Sequence, residues 1–151
     1  MGLDMFLCKR TSVQNWPHQT PAERYAITVQ HEDGSPTAIK PERITHVIEE
    51  VAYWRKANHI HRWFAEHIHN GVNDGREVDV SREQLATLVE LCRRVLADTA
   101  AAPALLPTQD ECFFSDTTYG ALYFAQCTRT IEMLAPLLGE SGDDFFYRAS
   151  W

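Results

Sequence analysis

The stretch SREQLATLVELCRRVL, residues 81–96, predicts a helix with both a defined start and a defined buried face. Ser81 and Gln84 match a capping box, in which each side chain accepts a hydrogen bond from the backbone N–H of the other residue. Apolar residues then recur with the spacing of one helix face, at Leu85, Leu88, Val89, Cys92, Val95 and Leu96. We therefore expect an amphipathic helix that starts at Ser81 and packs against a core.

Two further helices are predicted on either side of this one. The segment from Tyr53 to His69 lacks Gly and Pro and ends shortly before Gly71, a residue that favours a helix C-terminus. Its apolar residues share one face, at Tyr53, Ala57, Ile60, Phe64 and Ile68. A third helix is predicted from near Asp116, with Pro136 in its last turn and a buried face made of Tyr119, Tyr123, Cys127, Thr130, Ile131, Leu134 and Leu138.

Alternating apolar residues predict strands at both ends of the chain and between the helices. The predicted strands are Leu3 to Leu7, Tyr25 to Val29, Glu77 to Val80 and Asp144 to Trp151. Residues Ile44 to Ile48 fit strand or helix spacing, and their β-branched side chains favour a strand. The order of elements predicts a single α+β domain over residues 1–151, with a largely antiparallel sheet packed against about three helices.

Charge and composition limit the classes of partner. Fourteen basic and 21 acidic residues give a net charge of −7, which argues against broad binding to nucleic acid or to an anionic membrane. We expect no membrane span and, because the first residues include Asp4 and only a short apolar run, no signal peptide. A cytoplasmic location follows as an expectation. The cysteines are then expected to be reduced core or surface residues, at Cys8, Cys92, Cys112 and Cys127.

The predicted first helix carries the densest set of chemically active side chains. Cationic groups beside indole rings suit a planar anionic ligand, because a ring can stack while a guanidinium binds phosphate. The candidate ligand-binding residues are Trp54, Arg55, Asn58, His61 and Trp63. The alternative is that Trp63 only covers the sheet edge. We expect no metal site, because the four histidines of this segment lack the four-residue spacing that brings two ligands to one ion.

No complete catalytic motif occurs in the sequence, which favours a binding protein over an enzyme and predicts no cofactor. One alternative is a small hydrolase or transferase in which His61 pairs with Glu49 or Glu50. Another is an inhibitor or modulator of a partner protein, which would bind through an exposed tryptophan. Association of the chain with a second copy of itself stays open.

Three motifs carry a resemblance to a known group of proteins. They are the opening MGLDM, the run EEVAYWRKANHIHRWF at residues 49–64, and VSREQL at residues 80–85. Together they resemble a family of small phage and prophage-associated bacterial proteins of uncharacterised function. The resemblance implies a phage-related origin and action inside the bacterial host cell. A protein of that kind that binds a nucleotide-like anion would act by sequestering it, which would counter host signalling.

Overall fold

The computed structural model describes residues 2–71, 74–110, 116–142 and 144–151. Within these ranges the regular elements are, in chain order, strand β1 (Asp4–Ser12), strand β2 (His46–Arg55), helix α1 (Asn58–His67), strand β3 (Val78–Val80), helix α2 (Arg82–Ala97), helix α3 (Ala102–Leu105), helix α4 (Ala121–Leu134) and strand β4 (Phe145–Ser150). Short 3₁₀ segments lie at Pro41–Arg43, Thr99–Ala101 and Ala135–Gly139.

The strands form one antiparallel sheet in the order β2-β1-β4-β3. The two end segments of the chain are its central strands, because β1 pairs with β4 from Asp4 opposite Ser150 to Lys9 opposite Phe145. β3 pairs with the other edge of β4, with Val80 opposite Phe145. The predicted α+β class with an antiparallel sheet is therefore confirmed, and so is the prediction that both end segments share that sheet.

The core lies between one face of the sheet and the helices. Alternate residues are fully buried there: Leu3 just before β1, Met5 and Leu7 in β1, and Phe145 and Tyr147 in β4. Helix α2 buries Leu85, Leu88, Val89, Cys92 and Val95, five of the six residues predicted for its apolar face. It packs mainly against α4. The capping box at Ser81 is also present, so the helix predicted from residues 81–96 is confirmed at its start and along its buried face.

The prediction of a helix from Tyr53 to His69 is wrong over its first third. Residues up to Arg55 belong to β2, and α1 begins only at Asn58. The backbone N–H of Lys56 donates to the carbonyl of Leu3 at 2.7 Å, so hydrogen bonding to the segment that leads into β1 continues past the last residue of β2. Lys56 then has a φ of 55°, a left-handed conformation that no helix interior contains. Strand pairing has overridden the local helix preference here.

The third helix starts later than predicted. The Asp116 side chain accepts a hydrogen bond from the backbone N–H of Thr118 at 2.8 Å, which forms a turn, and α4 begins at Ala121. Tyr119 consequently lies outside the helix and is exposed. Pro136 lies in the 3₁₀ segment that follows α4. Trp151, predicted as the last residue of the final strand, follows β4 and is 45% exposed.

The chain divides into two compact units, Met1–Lys9 with Glu50–Trp151, and Arg10–Glu49. The strand predicted at Tyr25 to Val29, in the second unit, is wrong, because these residues form no strand. The Asn15 side chain instead binds both backbone groups of Tyr25, each at 2.9 Å, where a neighbouring strand would otherwise bind them. The Ile44 to Ile48 segment is a strand from His46 onward, as its β-branched residues favoured.

Cys8, Cys92 and Cys127 are buried as free thiols, and Cys112 lies outside the described residues. Over the described part of the chain, no helix has both the length and the apolar character needed to cross a bilayer.

Candidate functional site

The five residues predicted as ligand-binding are divided between two elements. Trp54 and Arg55 lie at the end of β2, while Asn58, His61 and Trp63 lie on α1. The turn at Lys56 separates the two groups, so they do not form the single helical surface that the sequence predicts. Trp54 and Arg55 line one cavity together. The three residues of α1 are each at most 4% exposed and make contacts within the fold.

Asn58 binds the backbone of a neighbouring loop. Its Oδ1 accepts a hydrogen bond from the N–H of Gln109 at 2.7 Å, and its Nδ2 donates to the carbonyl of Gln109 at 2.8 Å. One turn later, Arg62 donates to the carbonyl of Thr108. Both side chains of α1 therefore hold the loop that follows α3, and the Asn58 amide is occupied by this contact.

His61 is 3% exposed and its Nδ1 lies 2.7 Å from the hydroxyl of Tyr147. Tyr147 in turn stacks on Phe64, with ring centroids 3.9 Å apart and nearly parallel planes. A tyrosine on the central strand β4 is thus the hydrogen-bond partner of this buried imidazole. The glutamates paired with His61 in the enzyme alternative, Glu49 and Glu50, have exposed side chains on β2.

Trp63 is 4% exposed and packs within α1 and against the core. Its ring meets the edge of Phe64 at a centroid distance of 5.1 Å and stacks on His67 at 5.3 Å. A flat ligand has no open face of this indole to stack on. Trp63 was considered either for stacking on a ligand or for covering the sheet edge, and the structure shows its ring packed against Phe64 and His67.

The cavity beside β2 encloses about 240 Å³ and contains two arginines. Its lining residues come from the end of β2 and from one face of α4, and they are Tyr53, Trp54, Arg55, Leu122, Gln126 and Arg129. Trp54 forms the floor, because it is only 2% exposed and its Nε1 donates to Thr130 Oγ1 at 2.8 Å. We call this cavity the two-arginine cleft.

Hydrogen bonds fix the β2 wall of the two-arginine cleft. The Tyr53 hydroxyl donates to Asp4 at 2.5 Å, and this bond raises the pKa of Tyr53, so its phenol stays neutral. The Arg55 Nε lies 3.9 Å from the same carboxylate, and its side chain is 64% exposed. From α4, Gln126 Nε2 donates to the carbonyl of Arg55 at 3.4 Å. Arg55 is therefore oriented on one side while its guanidinium remains open to solvent.

A narrow slot adjoins the two-arginine cleft and shares Leu122 and Gln126 with it. It encloses only about 10 Å³, and its other lining residues are Lys56, His59, Asp116, Thr118 and Tyr123. The ammonium of Lys56 therefore adds a third cationic group to this side of the molecule. Two carboxylates lie among these cations, Asp116 in the slot lining and Asp4 at 3.9 Å from Arg55 Nε.

The α4 wall of the cleft was not predicted from the sequence. Leu122, Gln126 and Arg129 have the i, i+4, i+7 spacing of a single helix face. That face lies beside the apolar face of the predicted third helix, which alone was considered. The sequence did contain a signal for this wall: Leu122 is an apolar residue on a helix face that otherwise carries polar side chains, and it lies next to Gln126 and Arg129 on that face.

In the described ranges, no three His, Cys, Asp or Glu side chains are grouped as metal ligands. Comparison with models of protein families, with curated proteins and with solved structures finds no match to this chain.

Proposed function

We propose that this protein acts by binding, without catalysis, and that the two-arginine cleft holds a small planar anion of nucleotide-like chemistry. The observation that carries the proposal is that Arg55 and Arg129 line one cavity although they are far apart in the sequence. Two guanidinium groups can each form paired hydrogen bonds to phosphate oxygens. The apolar wall of Leu122 and the ring of Tyr53 supply contacts for the uncharged part of the ligand.

The size of the cleft narrows the ligand class. Pockets for drug-sized ligands usually measure about 300–1,000 Å³, whereas this one encloses about 240 Å³. A single phosphate with one attached ring system suits that volume better than a dinucleotide does. Because Trp54 and Trp63 are both buried, the stacking role expected of an indole passes to Tyr53, which is partly exposed.

The resemblance to phage and prophage-associated proteins suggests the cellular role of this binding. A small protein that binds a nucleotide-like anion in the bacterial cytoplasm would sequester a host signal and so act against host defence. Sequestration requires affinity for the ligand and no chemical step, which agrees with a sequence that has no complete catalytic motif.

A second candidate, binding to a host protein, is favoured by a separate observation. In the unit Arg10–Glu49, large apolar side chains are strongly exposed, among them Trp16 at 49%, Ile39 at 54% and Ile48 at 57%. A tryptophan such as Trp16 is a typical anchor at protein interfaces. Titration with nucleotides, together with capture of proteins from lysate, separates the two candidates.

Calorimetric titration with mono-, di- and cyclic nucleotides tests the anion-binding proposal. We expect binding by the wild type, and a loss of about tenfold or more in affinity for Arg55→Ala and for Arg129→Ala, because each loses a charge-assisted hydrogen bond worth roughly 1.5–3 kcal/mol. Arg93→Ala is the matched control, since Arg93 is exposed on α2 and lies outside the cleft lining. Affinity should fall as salt is raised.

Two outcomes would overturn this proposal. One is equal affinity in wild type, Arg55→Ala and Arg129→Ala. The other is no heat with any nucleotide, together with a host protein that is captured from lysate, stays bound at high salt, and is released by substitution of Trp16. The second result would establish the protein-binding candidate in its place.

A further inference from the structure

A cavity of about 420 Å³ lies within the unit Arg10–Glu49 and shares no residue with the two-arginine cleft or the narrow slot. Its lining includes Val13, Asn15, Tyr25, Ile27, Glu42 and Ile44. We call it the Glu42 cavity. Its volume falls within the range of about 300–1,000 Å³ that is usual for ligand pockets. Neither candidate function above uses this cavity, and the groups that line it indicate what it can bind.

Hydrogen bonds connect the chain segments around the Glu42 cavity. The N–H of Val13 donates to the carbonyl of Thr45 at 2.9 Å. Asn15 Oδ1 accepts from the N–H of Tyr25, and Asn15 Nδ2 donates to the carbonyl of Tyr25, both at 2.9 Å. A residue in an antiparallel sheet makes the same two bonds to the strand beside it. The backbone of Tyr25 is therefore extended, with both of its polar groups directed at Asn15.

The residues that follow Tyr25 have the character of a strand but no strand beside them. Ile27 and Val29 are half-buried and the residues between and around them are exposed, which is the alternation of a strand. Three consecutive residues, 27–29, are β-branched and favour a strand. Within the described ranges, the backbone of residues 26–30 makes no hydrogen bond. The segment is thus an unpaired edge of the kind to which another strand can add.

The lining of the Glu42 cavity combines aliphatic side chains with a single charge. Val13 is 5% exposed, and Ile27 and Ile44 are half-buried, so part of the wall is apolar. Among the described residues that line the cavity, Glu42 is the one that carries a charge. Its side chain is exposed, and its carboxylate makes no ion pair with any described residue. An aliphatic group together with a cation complements this lining.

We propose that the Glu42 cavity binds an extended peptide segment of a partner protein as an added strand, with an aliphatic and a basic side chain two residues apart. The peptide backbone pairs with the N–H and carbonyl groups of Ile27 and Val29, as when a peptide adds to the edge of a sheet. Side chains two residues apart lie on one face of an extended peptide, so both enter the cavity. The aliphatic side chain contacts Val13 and Ile44, and the basic one pairs with Glu42. The net charge of −7 also attracts a basic partner.

This binding mode accounts for the strand that the sequence predicts from Tyr25 to Val29 and that the isolated chain lacks. Alternating apolar residues report which side chains are buried, whereas a strand also needs a neighbour for its backbone. In the complex, the partner peptide is that neighbour. The Asn15 side chain already holds Tyr25 in the extended form. Fixing the segment at one end before binding lowers the entropy cost of ordering the rest.

Titration of the isotope-labelled full chain with short peptides, followed by NMR, tests the proposal. The probes are the capped pentapeptides TVTKT and TKTVT, which present valine and lysine on one face in either order. We expect at least one of them to shift the amide signals of Ile27 and Val29 and to slow the exchange of these two amide protons with solvent. The amides of Ala26 and Thr28 point to the opposite edge of an extended segment, so their exchange rates should stay unchanged.

Two changes separate the charge contact from the backbone pairing. Glu42→Gln should weaken binding of the peptide by about two- to fivefold, the range expected for an exposed ion pair. Glu32→Gln is the matched control, the same substitution at an exposed residue of the same unit that does not line the cavity, and it should bind as the wild type does. N-methylation of the peptide amides should abolish binding to the wild type, because it removes the backbone donors.

The proposal is overturned if neither peptide shifts the amide signals of Ile27 and Val29, if Glu42→Gln and Glu32→Gln bind equally well, or if the N-methylated peptide keeps its affinity. It is also overturned if these amides become protected without peptide as the protein concentration rises, because the occupant is then a second copy of the chain. Neither Trp16 nor the two-arginine cleft contributes to this lining. The outcome is therefore independent of both candidate functions above.

Discussion

At the scale of single residues, buried polar side chains join the helices to the sheet through specific hydrogen bonds. Trp54 donates to Thr130 Oγ1, and that hydroxyl donates in turn to the carbonyl of Gln126 at 2.7 Å. His61 reaches Tyr147 of β4 in the same way. A buried polar group that loses its partner costs more free energy than the bond contributes when made. These residues therefore fix which packing of the helices is stable.

Tyr147→Phe should lower the free energy of unfolding by about 1–3 kcal/mol, because it removes the hydroxyl 2.7 Å from His61 Nδ1 without changing the stacked ring. Urea denaturation measures the change. Tyr25→Phe is the control, since Tyr25 is 48% exposed, and it should shift the value by no more than about 0.5 kcal/mol. Equal effects of the two substitutions would show that the Tyr147 hydroxyl does not stabilise the fold.

At the scale of elements, the start of α2 is determined locally. Ser81 Oγ accepts from the N–H of Gln84 at 3.1 Å, and Gln84 Oε1 accepts from the N–H of Ser81 at 2.8 Å. Two backbone donors that would otherwise lack a partner in the first turn are thereby bonded. The end of β2 shows the opposite case, where pairing with β1 extends a strand into residues that favour a helix.

Ser81→Ala should lower the free energy of unfolding by about 0.5–2 kcal/mol, because the N-cap acceptor is lost. Ser81→Asp keeps an acceptor at the same position and should retain most of the wild-type stability. Denaturant melts of the three proteins provide the comparison. A Ser81→Ala curve that overlays the wild type would mean that the cap contributes nothing.

At the scale of the whole molecule, the sheet depends on its last strand. β4 pairs with β1 on one side and with β3 on the other, so it closes the middle of the sheet. It also contributes Phe145 and Tyr147, two of the largest fully buried side chains. Without it, β1 and β3 would each present an unpaired edge and a bare apolar face.

Deletion of residues 145–151 should therefore give unfolded or aggregated protein, which size-exclusion chromatography and circular dichroism would detect. Deletion of Trp151 alone is the control, since this residue follows β4 and is 45% exposed. This variant should stay folded, with the elution volume and circular dichroism spectrum of the wild type. A soluble truncation lacking 145–151 with the wild-type melting temperature would contradict the central role of β4.

The candidate site was only half predictable from the sequence. Trp54 and Arg55 were singled out because indole and guanidinium groups are adjacent there, and both do line a cavity. Asn58, His61 and Trp63 were grouped with them on the assumption of one continuous helix. The turn at Lys56 breaks that helix, and burial then commits the three side chains to contacts inside the fold. Arg129 was not predicted because the spacing of residues in the sequence does not show which distant residues line the same cavity.

The sequence by itself determined the elements whose signals are local: the cap and buried face of α2, the alternation of β1 and β4, and the α+β class that follows from them. Tertiary structure alone decided that Trp54 and Arg55 belong to strand β2, that Tyr147 binds His61, and that Arg55 and Arg129 line one cleft. The physical reason is the distance along the chain over which each kind of interaction acts. Caps and periodicity act over a few residues, whereas strand pairing and core packing join residues far apart in the chain and can outweigh a local preference of about 1 kcal/mol.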